Sequence, residues 1–502
     1  MKVKSFLISV FFISASVFSQ NKTDQPITGS LSILELNYSS ERDFFGRVDA
    51  SQQIIEPLFS GYPLIQTKGI VKGRGYLYIA DVGKDSKHNE AAKIWKFNPV
   101  NRELKLFYTG GLLTESKWLY YLKSDSGDDQ LIVSDYGEEP SPRTPGTGIG
   151  AKVFSIPVDK NGDALSPRLI WEGKPLTSPE GIAVIGDSVI LSDWAAGPLT
   201  TIPDRPGSFR RGMVFQIPLS GGEPKPLFLE HIWVTLIGAC RYEGDDGQEY
   251  IRFIDIDGGK PVNNEKYRYL PQSGVPQFYR AKVLAENPLK LGLLEKIKLN
   301  ETYEYLFSLD DQKMWKTLSV RTEGDTVLSD GSNMKQLDLK DYKSNEKIGI
   351  LFSSDLSAEK INFSLTLSAE GIESKPWKAD YSFLKPMGPS TLQDNKHGGR
   401  TLPGSFSPKL VATADGTTSG VYLAPVNGGL LSTIWRGKPL VQPMGVQYSW
   451  DEKFLWITDQ AAGPEGTSVI FQIKLPSMAR RVDLYRNNGI SPFRFVNNAP
   501  QK

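Results

Sequence analysis

The sequence predicts an all-β chain: a six-bladed β-propeller carrying an inserted β-sandwich-like domain. Three observations lead there. A thirteen-residue phrase at 170–182 (Ile-Trp-Glu-Gly-Lys-Pro-Leu-Thr-Ser-Pro-Glu-Gly-Ile) returns 264 positions later at 434–446 (Ile-Trp-Arg-Gly-Lys-Pro-Leu-Val-Gln-Pro-Met-Gly-Val). Each copy runs into Asp-x-Ala-Ala-Gly-Pro, at 193–198 and 459–464, and then into an apolar strand. Between these marks lie short apolar runs separated by Gly, Pro and Asn turns, the pattern of one antiparallel supersecondary unit used repeatedly.

Reduced to a frame, the phrase is an aromatic residue, x, Gly, x, Pro, Leu, with a second Gly ten residues after the aromatic. Phe59 with Gly69 satisfies it, and Phe228 with Gly238 keeps the spacing. Trp377 with Gly388 misses by one residue, although Pro386-Met387-Gly388 echoes Pro443-Met444-Gly445. Beyond the Gly, a second apolar run ends in Asp at Asp81, Asp135, Asp193, Asp415 and Asp459, with Asp255 a sixth. A third and a fourth strand follow. Four short strands per unit of about fifty residues is a propeller blade. Six units begin near residues 58, 111, 171, 228, 385 and 435; rings of five or seven blades fit the same frame. Residues 29–57, with strand-like Leu31 to Leu36, are expected to complete the last blade, which removes exposed sheet edges. The propeller is thus assigned to 29–293 and 385–485. Residues 294–384 break the frame and read as a β-rich insertion, with 486–502 as a C-terminal tail.

At the N-terminus, Lys2 and Lys4 precede an apolar run over 6–18, and Val17 and Ser19 stand at the −3 and −1 positions before Gln20. Residues 1–19 read as a cleavable bacterial-type signal peptide, so the chain is expected in the periplasm or outside the cell. No later stretch is apolar enough to span a bilayer. Cys240 is the single cysteine, so no internal disulfide forms, and its apolar surroundings suggest a buried inert thiol. Lys plus Arg number 58 against 57 Asp plus Glu, a balance that gives no driving force for nucleic acid. The partner expected is a small molecule or carbohydrate; the sequence leaves the oligomeric state open.

Pro179-Glu180-Gly181-Ile182 through Leu191-Ser192-Asp193, and Pro443-Met444-Gly445-Val446 through Ile457-Thr458-Asp459, resemble the six-bladed propeller superfamily of NHL repeats, strictosidine-synthase-like proteins and gluconolactonase-like lactonases. In the lactonase branch an Asn opening an inner strand and an Asp ending the next hold a divalent metal. The resemblance places Glu180 and Asp193 at those positions and implies a Ca²⁺-class ion, with Glu for Asn a departure. The lactonases' N-terminal Glu ligand has no counterpart here, and Met444 occupies the equivalent position in the last blade.

An Asp repeated in every blade argues for capping of neighbouring backbone amides rather than for a catalytic ring. Asp193 and Asp135 keep a functional share. The Pro- and Gly-rich loop from Asp135 through Tyr136, Glu138 and Glu139 to Gly150 reads either as a substrate rim or as a solvated loop. His88 follows Asp81 on the same face. His397 and Arg400 fall in an unusually long insertion between the first two strands of the fifth unit. Candidate acid/base groups are therefore Asp135, Glu138 and His88; candidate substrate contacts are His397, Arg400 and Tyr136. With three His in all, a four-His iron site is excluded, and no nucleophile elbow, Walker loop, dinucleotide fingerprint or zincin helix occurs. Most aromatics, including the Trp118, Tyr120, Tyr121 group, read as packing between blades. Trp315 and Trp377 in the insertion suit either a sandwich core or a sugar-binding module.

Two functions follow as expectations: a metal-assisted hydrolase or lyase acting on a lactone, ester or carbohydrate in the central funnel, or a non-catalytic scaffold presenting loops to a glycan or protein.

Overall fold

The computed structural model describes residues 31–38, 54–125, 127–137, 150–200, 209–228, 233, 236–244, 246–255, 277–309, 315–340, 346–355, 358, 360–369, 376–384, 401–402, 406–407, 410–415, 420–425, 428–430, 432–475 and 493–497. Among these there is no α-helix, and no helix long and apolar enough to cross a membrane.

Six sheets follow the repeat frame, each an antiparallel meander with its first strand innermost. The first holds Thr67–Gly73, Tyr76–Asp81, Lys93–Phe97 and Leu104–Thr109. The second holds Ser116–Leu122, Asp129–Asp135, Lys152–Val158 and Arg168–Glu172. The third runs from Pro179–Ile185 through Ser188–Asp193 and Met213–Pro218 to Lys225–Pro226. The fourth takes Leu236–Glu243, Glu249–Asp255, Gln277–Glu286 and Leu289–Ile297. The fifth takes Thr401–Leu402, Leu410–Asp415, Gly420–Pro425 and Ser432–Arg436, with Phe406–Ser407 also on its second strand. The sixth combines Pro443–Tyr448, Phe454–Asp459 and Val469–Lys474 with Ile55–Ser60 from the other end of the chain.

The first strands sit side by side in the order sixth, first, second, third, fourth sheet, and the fifth sheet's second strand lies against the sixth sheet's first. Apolar residues on facing sheets fill the wedges between them. Tyr78, Ile94, Leu119, Val133 and Phe154 close the gap between the first and second sheets, and Ile132, Val153, Ile182, Leu191 and Phe215 close the next. Because both faces of each sheet are covered, strands such as Ser188–Asp193 are buried at every residue instead of alternating.

The two copies of the long phrase fold alike. Trp171 Nε1 donates to the Gly173 and Lys174 carbonyls at 3.1 and 3.2 Å, and Trp435 Nε1 to those of Gly437 and Lys438 at 3.3 and 3.2 Å. Pro179 pairs with Asp193 as Pro443 pairs with Asp459.

One placement differs from the sequence reading. Leu31–Tyr38 does not complete the last blade; it pairs with Leu299–Leu309 in the inserted unit, and Ile55–Ser60 closes the sixth sheet instead. Alternating apolar residues fit a half-buried strand in either sheet, so periodicity could not choose the partner. In the fifth sheet the inner strand opens at Thr401, whose partner is Asp415, as Thr67 partners Asp81.

The insertion forms two sheets. Leu299–Leu309, Glu346–Asp355 and Thr326–Leu328 pair with Leu31–Tyr38, and Phe493–Asn497 from the tail joins Glu346–Asp355. Met334–Asp338, Trp315–Glu323, Lys360–Ala369 and Trp377–Leu384 form the other. Their shared core includes Phe307, Leu318, Ile348, Phe352, Phe363 and Leu365, with the Phe352 and Phe363 rings stacked at 4.3 Å. Trp315 is buried in that core, which accounts for it as packing. Residues 294–297 belong to the outer strand of the fourth sheet, so the sandwich strands begin at Leu299.

Candidate functional site

In the first, second, third and sixth sheets the recurring Asp fixes one end of the inner strand. Asp193 accepts from the backbone amides of Thr177, Ser178 and Ala195 at 2.8–3.1 Å. Asp459 accepts from Val441, Gln442 and Ala461, and Asp135 from Thr114, Glu115 and Gly137. Asp81 takes Ile65, Gln66 and Gly83 and adds the Trp95 indole. All four are fully buried. Each therefore folds the entering loop against its own sheet, satisfying amides that would otherwise be orphaned. Burial pushes the Asp135 and Asp193 carboxyls up to about 6, against the lowering effect of those amides.

One residue beyond each Asp partner, the inner strand slips register. The shift lies between Thr67 and Ile70, Ser116 and Trp118, Pro179 and Ile182, and Pro443 and Gly445. A bulge re-aims the extra residue. The residues there are Lys68, Lys117, Glu180 and Met444, with Ile237 at the corresponding place in the fourth sheet. Neighbouring strands nearly touch at this level. A Cβ on Gly181 would stand 2.1 Å from the Gly238 Cα, and one on Gly445 2.6 Å from the Lys68 carbonyl oxygen. Only glycine permits that approach. Hydroxyls tie the bulges together: Ser134 Oγ donates to the Glu180 carbonyl at 3.0 Å, and Thr458 Oγ1 to the Lys68 carbonyl at 2.8 Å.

The bulge residues of the second and third sheets build a buried polar cluster. Glu180, 3 % exposed, accepts from Trp118 Nε1 at 2.6 Å and from the Tyr136 hydroxyl. The Lys117 ammonium lies 4.5 Å over the Tyr136 ring and pairs with the buried Glu115. On the neighbouring strand, Lys68 Nζ donates to Gln460 Oε1 at 2.5 Å. Charges this well buried persist only when partnered, and here each carboxylate faces donors or a cation. The arrangement sets a hydroxyl and a carboxylate in contact with a cation beside them.

Of the residues singled out from sequence, the structure brings Glu180 and Tyr136 into contact. Asp193 has its oxygens taken by amides. Asp135 is likewise occupied. Glu180 is held by Trp118 and Tyr136 and Asp193 by backbone amides; among the described residues no group of three His, Cys, Asp or Glu is placed to hold a metal. His88 stands apart, its Nδ1 3.0 Å from both Asp85 oxygens and its ring stacked on Tyr62 at 6.5 Å. Burial raises the Asp85 carboxyl, but hydrogen bonds from His88 and nearby amides outweigh it and hold it low. The ion pair of Lys87 with Glu465 at 3.6 Å sets this loop against the sixth sheet's. Glu138, His397 and Arg400 lie outside the described residues. Lys68, Glu115 and Lys117 were missed. Reading the residue before the frame glycine across blades, as Lys68, Glu180 and Met444, carried the signal. Cys240 is half-buried rather than buried, and desolvation pushes its thiol up to about 12.

No protein-family model matches the chain, and no curated protein matches it. Among solved structures it is similar to an oligogalacturonate lyase from Vibrio parahaemolyticus, with 10 % identity, 90 % of this chain and 99 % of that one covered, and a TM-score of 0.39. It is also similar to a putative gluconolactonase, with 12 % identity, 88 % and 97 % covered, and a TM-score of 0.38. A luciferin-regenerating enzyme matches at 9 % identity over 84 % and 95 %, with a TM-score of 0.38.

Proposed function

We propose that the inner-strand ends of the second and third sheets form the active site of an exported hydrolase or lyase acting on a lactone, ester or sugar-derived substrate. The observation that carries this reading is a carboxylate, Glu180, held on both oxygens by Trp118 and Tyr136 beside the Lys117 ammonium. In either reaction a base removes a proton, from water or from a carbon next to a carbonyl, and negative charge grows on an oxygen. Tyr136 and Glu180 would carry the proton, and Lys117 would offset the charge. Trp118 keeps Glu180 oriented. The test is a panel of lactones, aryl esters and neutral and acidic oligosaccharides, assayed with the intact chain, with Glu180→Gln and with Tyr136→Phe, in calcium and in chelator. Each substitution should lower turnover about 100-fold while the far-ultraviolet spectrum stays unchanged. Undiminished turnover in both variants would remove this site from the reaction. Turnover lost in chelator would point to the metal-assisted mechanism.

A second reading, a non-catalytic glycan- or protein-binding scaffold, is favoured by the low exposure of Glu180 and Tyr136, 3 % and 5 %. It expects binding on a glycan array without turnover, and Glu180→Gln lowering stability alone.

A further inference from the structure

The fourth sheet carries two arginines side by side. Arg252 on Glu249–Asp255 pairs in register with Arg280 on one side and with Cys240 on the other. The chain treats them differently. Arg280 Nε sits 3.0 Å from Glu295, its guanidinium lies 4.6 Å over the Tyr250 ring, and Tyr242 hydrogen-bonds to it. Arg252 is 1 % exposed, and among the described residues its Nε, Nη1 and Nη2 have no hydrogen-bond partner. Its one close neighbour of note is the Phe278 ring, 4.5 Å from the guanidinium carbon. Cys240 and Tyr242, the ionisable groups whose charge would act on it, are both held neutral at physiological pH by burial, so neither is a counter-ion. Burial draws Arg252 down to about 10, which leaves it a cation at neutral pH.

A buried cation with five donors and no acceptor is among the least favourable groups a fold can carry. A hydrophobic residue of similar length would serve packing better. We propose that Arg252 anchors a binding site for a small carboxylate, seated on the fourth sheet between Phe278 and Cys240 and separate from the Glu180 cluster. The planar fork of a guanidinium matches a carboxylate with two parallel hydrogen bonds. One uncompensated positive charge calls for one negative charge, so a monoanionic carboxylate balances the site where a phosphate dianion overshoots. Stacking on Phe278 holds the fork in one plane. Loading requires the covering layer to part, so the ligand enters slowly and leaves slowly.

The experiment is thermal unfolding of the intact chain after long incubation in sodium chloride, sodium formate, sodium acetate or sodium phosphate, at equal ionic strength and pH. Arg252→Met and Arg252→Lys are run beside it. In chloride, Arg252→Met should melt above the native chain. Formate or acetate should raise the native midpoint by about 1–3 °C, saturably, leave Arg252→Met unmoved, and shift Arg252→Lys by less. An equal rise in both native chain and Arg252→Met would be a general salt effect and would overturn the proposal. So would an Arg252→Met protein that melts lower or fails to fold, since the arginine would then have a partner within the chain. A rise with phosphate and none with carboxylates would overturn the assignment of ligand.

Discussion

The Asp caps lead to an unusual pH dependence, clearest at Asp193. Its carboxyl is raised to about 6 from an ordinary 3.8, because burial disfavours the ionised form more than three amides favour it. The folded state therefore holds a proton that the unfolded chain has released across the window from about 4 to 6. The stabilisation is fully present below 3.8 and is lost as pH rises through about 6. By linkage, one such group makes the native state about 1.3 kcal/mol more stable at pH 5 than at pH 7. Asp193→Asn removes the titration while keeping size and one acceptor oxygen. The assay is urea unfolding at both pH values for native chain and variant, with slopes checked for equality so that midpoints compare directly. The native chain should gain about 1.3 kcal/mol more than Asp193→Asn on going from pH 7 to pH 5. Taking the difference between proteins cancels every other titrating group. Equal pH responses, or a smaller one in the native chain, would refute the claim that burial dominates at this carboxylate, and would mean that the amides hold it ionised throughout.

Two further substitutions probe the packing of the ring. Gly181→Ala places a methyl group 2.1 Å from the Gly238 backbone, and should destabilise the chain by about 3 kcal/mol in urea; a loss under about 0.5 kcal/mol would mean the third and fourth sheets are not in contact there. Thr458→Val removes a hydroxyl that accepts from Gly445 N–H at 3.0 Å and donates to the Lys68 carbonyl at 2.8 Å; it should lower stability by about 1–3 kcal/mol, with Thr458→Ser restoring most of it.

The repeat was legible because the same physical problem recurs in each sheet. Asp193 and Asp459 stand at the same point of the phrase, and each meets the same three backbone amides. The frame glycine was legible as spacing, though its reason, backbone against backbone at Gly181 and Gly445, needs the third dimension. Partner choice was not legible. Leu31–Tyr38 and Ile55–Ser60 lie close together in sequence, yet one joins the sandwich and the other the sixth sheet, because alternation specifies a face and not a neighbour. Trp118 is the instructive miss at the site. It reads as packing between blades, and it is buried as packing requires, but its indole N–H is spent on Glu180. Burial and function are not alternatives for an aromatic with a polar edge.

The bulge position ties these observations together. The frame fixes what surrounds it: an Asp cap on one side, in the first, third and sixth sheets a close-approach glycine on the other, and, in the second and sixth sheets, a hydroxyl reaching the next bulge carbonyl. The side chain at the bulge is under none of these constraints. It is Lys in the first two sheets, Glu in the third and Met in the sixth. A residue that varies where its surroundings repeat is one the scaffold does not need, so its identity is free to answer to a ligand. The same reasoning ranks the candidates: Asp135 and Asp193 are what each blade requires, while Lys68, Lys117 and Glu180 are what this chain has chosen. The sandwich follows a different logic. Leu31–Tyr38 and Phe493–Asn497 enter one of its sheets from opposite ends of the chain, and Gly429–Leu430 of the fifth blade's turn lies parallel to Leu299–Asn300. An inserted unit bound at three separated points of sequence is not a pendant loop. Its strands complete only when the propeller on both sides of it has been made, which couples the two units in folding even though their hydrophobic cores are distinct.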